Sequence, residues 1–181
     1  MLVAGFPAGS WATNCYVVAT GRGQECVVVY PGQDAAPGVD DLVRENGLKP
    51  VAVVLTHGHL DHTWSVMPVC GAHDVPAYVH PDDRVLLTDP LRALSRETRE
   101  ALSGGLFGGR MQVGEPDDVR ELTDGATLEL AGLSLTVSHA PGHTQGSVTF
   151  GTAGSDADPP VLFSGDLLFK GSVGRSDLPG G

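Results

Sequence analysis

The sequence has few cysteines, which excludes the structures that depend on them. Cys15, Cys26 and Cys70 are odd in number and widely spaced, so they provide neither a disulfide framework nor a cysteine-based zinc motif. We interpret them as small hydrophobic residues of the core. A nucleophilic cysteine would need a base beside it in space, and the stronger cluster of metal-ligand residues described below disfavours that role.

Basic residues and long apolar runs are also scarce. The chain has 11 lysines and arginines against 22 aspartates and glutamates, a formal net charge of −11. This charge opposes the attraction that drives non-specific nucleic-acid binding. No apolar run is long enough to span a bilayer, and residues 1–7 lack the basic flank and apolar centre of a secretion signal. We therefore expect a cytoplasmic protein without nucleic-acid or membrane partners.

The local patterns predict a mixture of strands and helices in one domain over residues 1–181. Helices are predicted from Val39 to the Asn46-Gly47 stop signal and over 90–102, where apolar residues recur at helical spacing. The glycine-rich segment 104–109 lacks the lysine that follows a phosphate-binding loop and is interpreted as a flap. Strands are predicted at 14–19, 25–30, 51–55, 77–80, 119–122, 127–130, 133–138, 148–150 and 161–164.

The most informative stretch is the run Thr-His-Gly-His-Leu-Asp-His at 56–62, which directly follows the apolar segment 51–55. Imidazole nitrogens and carboxylate oxygens are the ligands that suit zinc, and also manganese or iron. A polar loop with ordinary solvent-exposed histidines is a much weaker explanation of this spacing. The run therefore predicts a metal site.

The spacing inside this run divides its candidate ligands into two pairs. His57 and His59 are two residues apart, so their side chains can address one ion. Asp61 and His62 lie beyond Gly58, whose missing side chain permits a tight turn. This second pair could bind another ion or a water molecule.

Two later loops place further ligand-type residues after predicted strands. His143 lies in the glycine-bounded loop 140–147, and Asp166 follows the strand 161–164. Metal sites are commonly assembled from loops that a rigid sheet holds in place. Two β-rich halves with helical segments predict an α/β fold of stacked sheets covered by helices.

These ordered motifs resemble those of the metallo-β-lactamase fold superfamily. Residues 57–62 match its signature of histidine, any, histidine, any, aspartate, histidine. Residues 140–144 are similar to its next ligand loop, and residues 164–166 to the strand end that provides its bridging aspartate. The resemblance implies an αββα sandwich of two packed mixed β-sheets flanked by helices. Within the superfamily, residues 163–169 and 174–181 resemble the glyoxalase II-like hydrolases (hydroxyacylglutathione hydrolases), whose substrates are thioesters.

The resemblance also implies a role for each ligand-type residue. The ligands of the first ion would be His57, His59 and His143, those of the second Asp61 and His62, with Asp166 bridging the two. The cofactor would be one or two zinc ions, with iron or manganese as alternatives. A metal-bound hydroxide would attack the carbonyl of a small thioester, and Asp61 would act as the catalytic residue that orients the nucleophile or carries its proton.

Two outlying residues are candidates for substrate contacts. Lys170 and Arg175 follow the expected bridging aspartate and could reach an anionic thiol carrier. A surface lysine, and an arginine paired with Asp177, are the simpler interpretation, which we prefer.

Two features depart from the family pattern. Tyr30 precedes Pro31-Gly32 where the family has an aspartate that supports the histidine loop, and a tyrosine hydroxyl or a water could replace it. The family also continues beyond residue 181 into a loop whose histidine completes the second metal site, so we expect a C-terminally incomplete domain. Its open apolar edge would favour self-association. The remaining histidines, which are expected at the surface, in the core or behind the ligands, are His73, His80 and His139.

Three functions remain open. The first is a metal-dependent thioester hydrolase. The second is an iron-dependent persulfide dioxygenase, which resembles this chain in its histidine motif and would use a single iron. The third is a catalytically weak metal-binding protein, suggested by Tyr30 and the missing final histidine. The fold by itself does not separate them, because many activities share it.

Overall fold

A mixed six-stranded sheet forms the first layer of the fold. The computed structural model describes residues 1–101, 113–154 and 158–179, and the predicted flap at 104–109 lies outside them. The strands follow one another across the sheet in chain order, antiparallel from the first to the third and parallel from the third to the sixth. They are β1 (Leu2–Ala8), β2 (Thr13–Ala19), β3 (Glu25–Val29), β4 (Lys49–Val54), β5 (Ala77–Val79) and β6 (Val119–Glu121).

Helices cover one face of this sheet, since parallel neighbours need crossover connections. Apolar side chains of the helices, such as Val39 and Val69, share a buried cluster with Val28 and Val53 of the strands. The first helix ends at Gly47, whose φ of 63° is left-handed, which confirms the predicted stop signal. The helices are α1 (Ala36–Asn46), α2 (Leu60–Thr63), α3 (Val66–His73), α4 (Pro81–Thr88) and α5 (Arg96–Ala101). None of the described helices combines the length and apolar character that crossing a bilayer requires.

The second half of the chain forms an antiparallel sheet that packs on the other face of the first. β8 alternates buried Leu135 and Val137 with exposed Ser134 and Thr136, so one face enters the core. Phe150 is fully buried between the two sheets. The strand order is β10-β9-β8-β7, and a short hairpin of two further strands follows. The strands are β7 (Thr127–Leu130), β8 (Leu133–His139), β9 (Val148–Thr152), β10 (Val161–Phe163), β11 (Leu168–Phe169) and β12 (Ser172–Val173).

The predicted α/β fold of two packed sheets with helices is confirmed, with two local differences. The continuous helix predicted over 90–102 is wrong, because a 3₁₀ turn at Pro90–Ala93 ends in extended Leu94 before α5 begins. Ser95, a residue type favoured at helix starts, accepts the first backbone bond of α5 from Arg99. The sequence reasoning also missed β1, an edge strand in which Pro7 is tolerated.

The cysteine prediction can be tested by thiol reactivity. All three cysteines are free and buried, and desolvation raises the pKa of each thiol to about 12, assisted by Glu25 at Cys26 and Asp118 at Cys70. Since the thiolate is the reactive form, we expect no reaction of the native protein with an aromatic disulfide reagent at pH 8. The denatured protein is the control and should release three equivalents of the chromophore. Rapid modification of native protein would contradict the burial of these thiols.

Self-association through the edge of the second sheet stays a prediction, and the structure offers a surface for its test. Leu162 of β10 and Val173 of β12 are 55% and 72% exposed, and Leu168 and Phe169 are also exposed. Clustered apolar side chains of this kind favour association. We expect sedimentation velocity to show concentration-dependent association that Leu162→Ser weakens. Val85→Ser on α4, where Val85 is 39% exposed, is the control and should not weaken it.

Candidate metal centre

The first candidate ligands follow the end of a buried parallel strand. Val53, Val54 and Leu55 are fully buried, and the chain continues through Thr56 to His57, which is 2% exposed. Gly58 has no positive φ and residues 57–59 form no turn, so the tight turn predicted at this glycine is wrong. The structure gives another reason, because a Cβ atom at Gly58 would lie 2.8 Å from the carbonyl oxygen of Asp83 on α4.

Three histidines from two distant loops meet in one buried group. Each of His57, His59 and His143 offers a ligand atom, and these atoms lie within 4.8 Å of one another. Nδ1 of His59 and Nε2 of His143 are 2.9 Å apart. Nδ1 of His143 donates to the carbonyl of Arg175 at 2.8 Å, so Nε2 of the same ring presents its lone pair to the group.

A second group shares His57 with the first and adds His62 and Asp166. Oδ1 of Asp166 lies 3.0 Å from Nε2 of His62, whereas its Oδ2 lies 3.7 Å from Nε2 of His143. The carboxylate therefore turns one oxygen toward each histidine group. This is the placement that a ligand shared by two ions requires.

Asp61 lies beside the second group without being one of its three members. Its Oδ2 is 3.4 Å from Nε2 of His62 and accepts a hydrogen bond from the Thr13 hydroxyl at 3.0 Å. The side chain is 31% exposed, so it can reach both the second group and the solvent. Its catalytic and ligand roles stay predictions.

The buried ring nitrogens fit a metal ion. Among the described residues, Nε2 of His57, Nε2 of His59 and Nδ1 of His62 are buried without a hydrogen-bond partner. Leaving such a group unsatisfied costs about 1–3 kcal/mol. A divalent ion would bind Nε2 of His57, whereas His59 and His62 turn their other nitrogens, Nδ1 and Nε2, toward the two groups. This set of imidazole and carboxylate donors suits zinc, iron or manganese.

The protonation states of His57, His59 and Asp166 also suit metal binding. Burial lowers the pKa of His57 well below its usual value, and the neighbouring histidines lower it further. Burial, followed by the charge of His143, lowers the pKa of His59 to about 4. Burial by itself would raise the pKa of Asp166, but the hydrogen bond from His62 and the nearby histidines outweigh it and the pKa is lowered. Neutral imidazoles and an ionised carboxylate are the forms that bind metal.

Two clefts open onto this centre, with volumes of about 510 and 450 Å³. Asp61 and Asp166 line both clefts, and so does Trp11 from the loop between β1 and β2. Lys170 lines the larger cleft. Arg175 lines the smaller one, but its guanidinium binds both oxygens of Asp177 at 2.7 and 2.8 Å. The substrate contacts of Lys170 and Arg175 stay predictions.

A third group of potential ligands consists of His80, Asp82 and His139. The two imidazole rings are stacked at 4.1 Å with an interplanar angle of 11°. A metal ion lies close to the plane of each imidazole that binds it, and parallel rings do not share a plane. Coordination by both histidines would therefore require one ring to rotate.

The sequence matches the model of a known protein family. The model of the metallo-beta-lactamase superfamily matches residues 8–181. The chain belongs to this superfamily. An uncharacterized protein of Mycobacterium tuberculosis is 44% identical over 183 residues, covering 100% of this chain and 79% of its own length. A hydroxyacylglutathione hydrolase of Cupriavidus taiwanensis is 35% identical over 160 residues, which cover 88% of this chain and 51% of that enzyme.

Two similar solved structures agree with this assignment. The B3 metallo-beta-lactamase BLEG-1 has a TM-score of 0.80 at 35% identity, with 99% of this chain and 79% of that chain covered. TTHA1623, solved in a di-iron-bound form, has a TM-score of 0.72 at 36% identity and the same two coverages. Sequence and structure thus agree on the superfamily.

Tyr30 lies next to the loops that carry the candidate ligands. Its buried hydroxyl accepts a hydrogen bond from the Gly165 N–H at 3.0 Å and interacts with the side chain of Thr56. Its ring packs edge-on against His62 at 5.5 Å. Burial raises the pKa of Tyr30, so the hydroxyl stays protonated. The tyrosine therefore links the residues that precede His57 and Asp166.

Sequence reasoning missed several residues that hold this centre. Thr13 bonds to Asp61 across 48 positions, and the Arg175 carbonyl bonds to His143 across 32. Asp83, discussed below, was not among the candidate residues. A single sequence carries no local signal for these partners, because each pair is formed by the packing of distant segments.

The support from Tyr30 can be tested with Tyr30→Phe. Removal of the hydroxyl leaves the Gly165 N–H without its partner, and we expect a loss of about 1 kcal/mol in the free energy of unfolding. Urea denaturation of the metal-free protein measures this loss. Tyr16→Phe is the matched control, because the neighbouring Tyr16 ring, 6.1 Å away, has no hydroxyl bond within the described residues. Equal stability of the two variants would contradict the role of Tyr30.

Proposed function

We propose that the protein is a metal-dependent hydrolase that cleaves thioesters of a small thiol carrier. The observation that carries the proposal is the position of Asp166, whose two oxygens turn toward different histidine groups. This placement favours two ions, and we propose zinc, with iron or manganese as alternatives. The residues that would hold them are His57, His59, His143, Asp61, His62 and Asp166.

The chain's own groups fit hydrolysis of an activated carbonyl. When bound, a divalent ion lowers the pKa of water and polarises a carbonyl oxygen. Asp61 lies at the opening of both clefts, where it can accept a proton from the attacking water. The Thr13 hydroxyl fixes the orientation of that carboxylate. Trp11 and Phe169 flank the same opening and would limit access of bulk water.

The choice of a thioester has two supports. The hydroxyacylglutathione hydrolase of Cupriavidus taiwanensis is 35% identical over most of this chain. The segment 174–179 that resembles such hydrolases also lies at the centre, because the Arg175 carbonyl accepts a hydrogen bond from His143.

We further propose a cytoplasmic location, since the three free thiols suit a reducing compartment. We also propose that the protein has no nucleic-acid partner, because its net charge of −11 opposes such binding.

Two other activities belong in the test. Iron-dependent persulfide oxidation is an alternative because the similar protein TTHA1623 binds iron, although it holds two ions where that activity would use one. Hydrolysis of β-lactams is favoured by the likeness to BLEG-1. A metal-binding protein with little activity is the remaining alternative.

The decisive experiment combines metal content with activity on one sample. We expect one or two zinc-like ions per chain and hydrolysis of S-lactoylglutathione or another acyl thioester. His57→Ala, or removal of metal by a chelator, should lower kcat/KM at least about 1,000-fold, because metal stabilises the transition state by several kcal/mol. His73→Ala is the control, since His73 pairs with Asp40 on the helical face and should leave activity unchanged.

The other outcomes would each replace the proposal. Bound iron with sulfite production from a persulfide would assign the dioxygenase activity. Turnover of a β-lactam without thioester cleavage would assign a lactamase. Full metal content without turnover of any of these substrates would assign a metal-binding protein.

A further inference from the structure

A buried carboxylate behind the metal centre joins the two histidine loops. Asp83 lies in the first turn of α4 and is 1% exposed. Its Oδ2 accepts hydrogen bonds from the Gly58 N–H at 2.7 Å and from the Thr144 hydroxyl at 2.6 Å. Its Oδ1 accepts a third from the Gly146 N–H at 2.8 Å. Asp83 lines neither of the two clefts at the metal centre, and it binds the loop of residues 57–62 and the loop of residues 140–147.

Two of the three donors lie directly beside the candidate ligands, and Gly146 lies three residues after His143. Gly58 separates His57 from His59, and Thr144 follows His143. The 2.9 Å contact between His59 and His143 spans the same two loops. A shift of either loop away from Asp83 would therefore change the distance between histidines that should share one ion.

Both glycines make this close approach possible. A Cβ atom at Gly146 would lie 2.7 Å from the side chain of Asp83, and one at Gly58 would lie 2.8 Å from its carbonyl oxygen. No real Cβ atom tolerates such distances to backbone or to a fixed carboxylate. The absence of a side chain at each of these glycines therefore lets both loops approach Asp83 on α4.

We propose that Asp83 is a positioning residue that holds the two histidine loops at the separation needed for metal binding. The inference rests on the proposed metal site. Hydrogen bonds to a buried carboxylate are strong, and residues that orient metal ligands commonly change metal affinity 10- to 100-fold. Asp83 acts through the Gly58 and Gly146 N–H groups and the Thr144 hydroxyl, without touching substrate or metal.

The test compares Asp83→Asn and Asp83→Ala with the control Asp89→Asn. An amide in its best orientation keeps the bonds to Gly58 and Thr144 but turns an NH₂ group toward the Gly146 N–H, whereas alanine removes all three bonds. Asp89 is the exposed residue that follows α4, and it belongs to none of the three groups of potential ligands. In chelator competition with Zn²⁺, we expect affinity to fall about 10-fold for Asp83→Asn, about 100-fold for Asp83→Ala and not at all for Asp89→Asn.

A second readout separates positioning from stability. The visible spectrum of the Co²⁺-loaded protein reports ligand geometry, and we expect it to change in Asp83→Asn but not in Asp89→Asn. Lower stability of the metal-free variant with unchanged Zn²⁺ affinity and Co²⁺ spectrum would overturn the inference. If Asp83→Ala does not fold, Thr144→Val removes one donor and should also weaken Zn²⁺ binding.

The same data distinguish this inference from the proposed function. Wild-type protein that binds no Zn²⁺ or Co²⁺ would overturn the proposed metal site and the role of Asp83 with it. Wild-type protein that binds both ions, with Asp83 variants of equal affinity, would overturn only the inference about Asp83.

Discussion

The structure depends on the contact between the two sheets at the point where their functional loops begin. The Val148 N–H, at the start of β9, donates to the carbonyl of Thr56 at 2.7 Å, one residue before His57. This bond joins the end of β4 in the first sheet to the second sheet. It brings the loop that carries His143 over the loop that carries His57, His59 and His62, and four imidazoles then share one buried volume.

The burial of four imidazoles in one volume lowers the stability of the folded state. Buried ring nitrogens without partners lower stability, and a typical domain has only about 5–15 kcal/mol in total. The chain offsets this cost with an apolar interior between the sheets and with hydrogen bonds around the histidines. An ion that binds only the folded state would add its binding free energy to stability. The centre and the fold are therefore coupled in both directions.

The support around the centre comes from every layer of the fold. Tyr30 at the end of β3 holds Gly165, Asp83 on α4 holds both histidine loops, and the Arg175 carbonyl holds His143. The three supporting groups are a phenol hydroxyl, a carboxylate and a backbone carbonyl, and each comes from a different type of residue. The candidate ligand residues are thus held by partners that differ in chemistry and in position along the chain.

Much of the architecture followed from local patterns. The alternation of β8, the glycine stop of α1 and the apolar strand before His57 were readable because each depends on residues close together in the chain. The break before α5 was not predicted, because the helical spacing of apolar residues continues through Leu94 while the backbone does not. The edge strand β1 was missed although Leu2, Ala4 and Phe6 alternate, since a short N-terminal run pairs only by virtue of its neighbour β2.

The sequence by itself determined which residues can bind metal and how they are spaced, because a spacing of two places side chains on one side of the chain. Only the tertiary structure decided what holds them, since the bonds from Gly58 to Asp83 and from Gly165 to Tyr30 span 25 and 135 positions and form only when the layers pack.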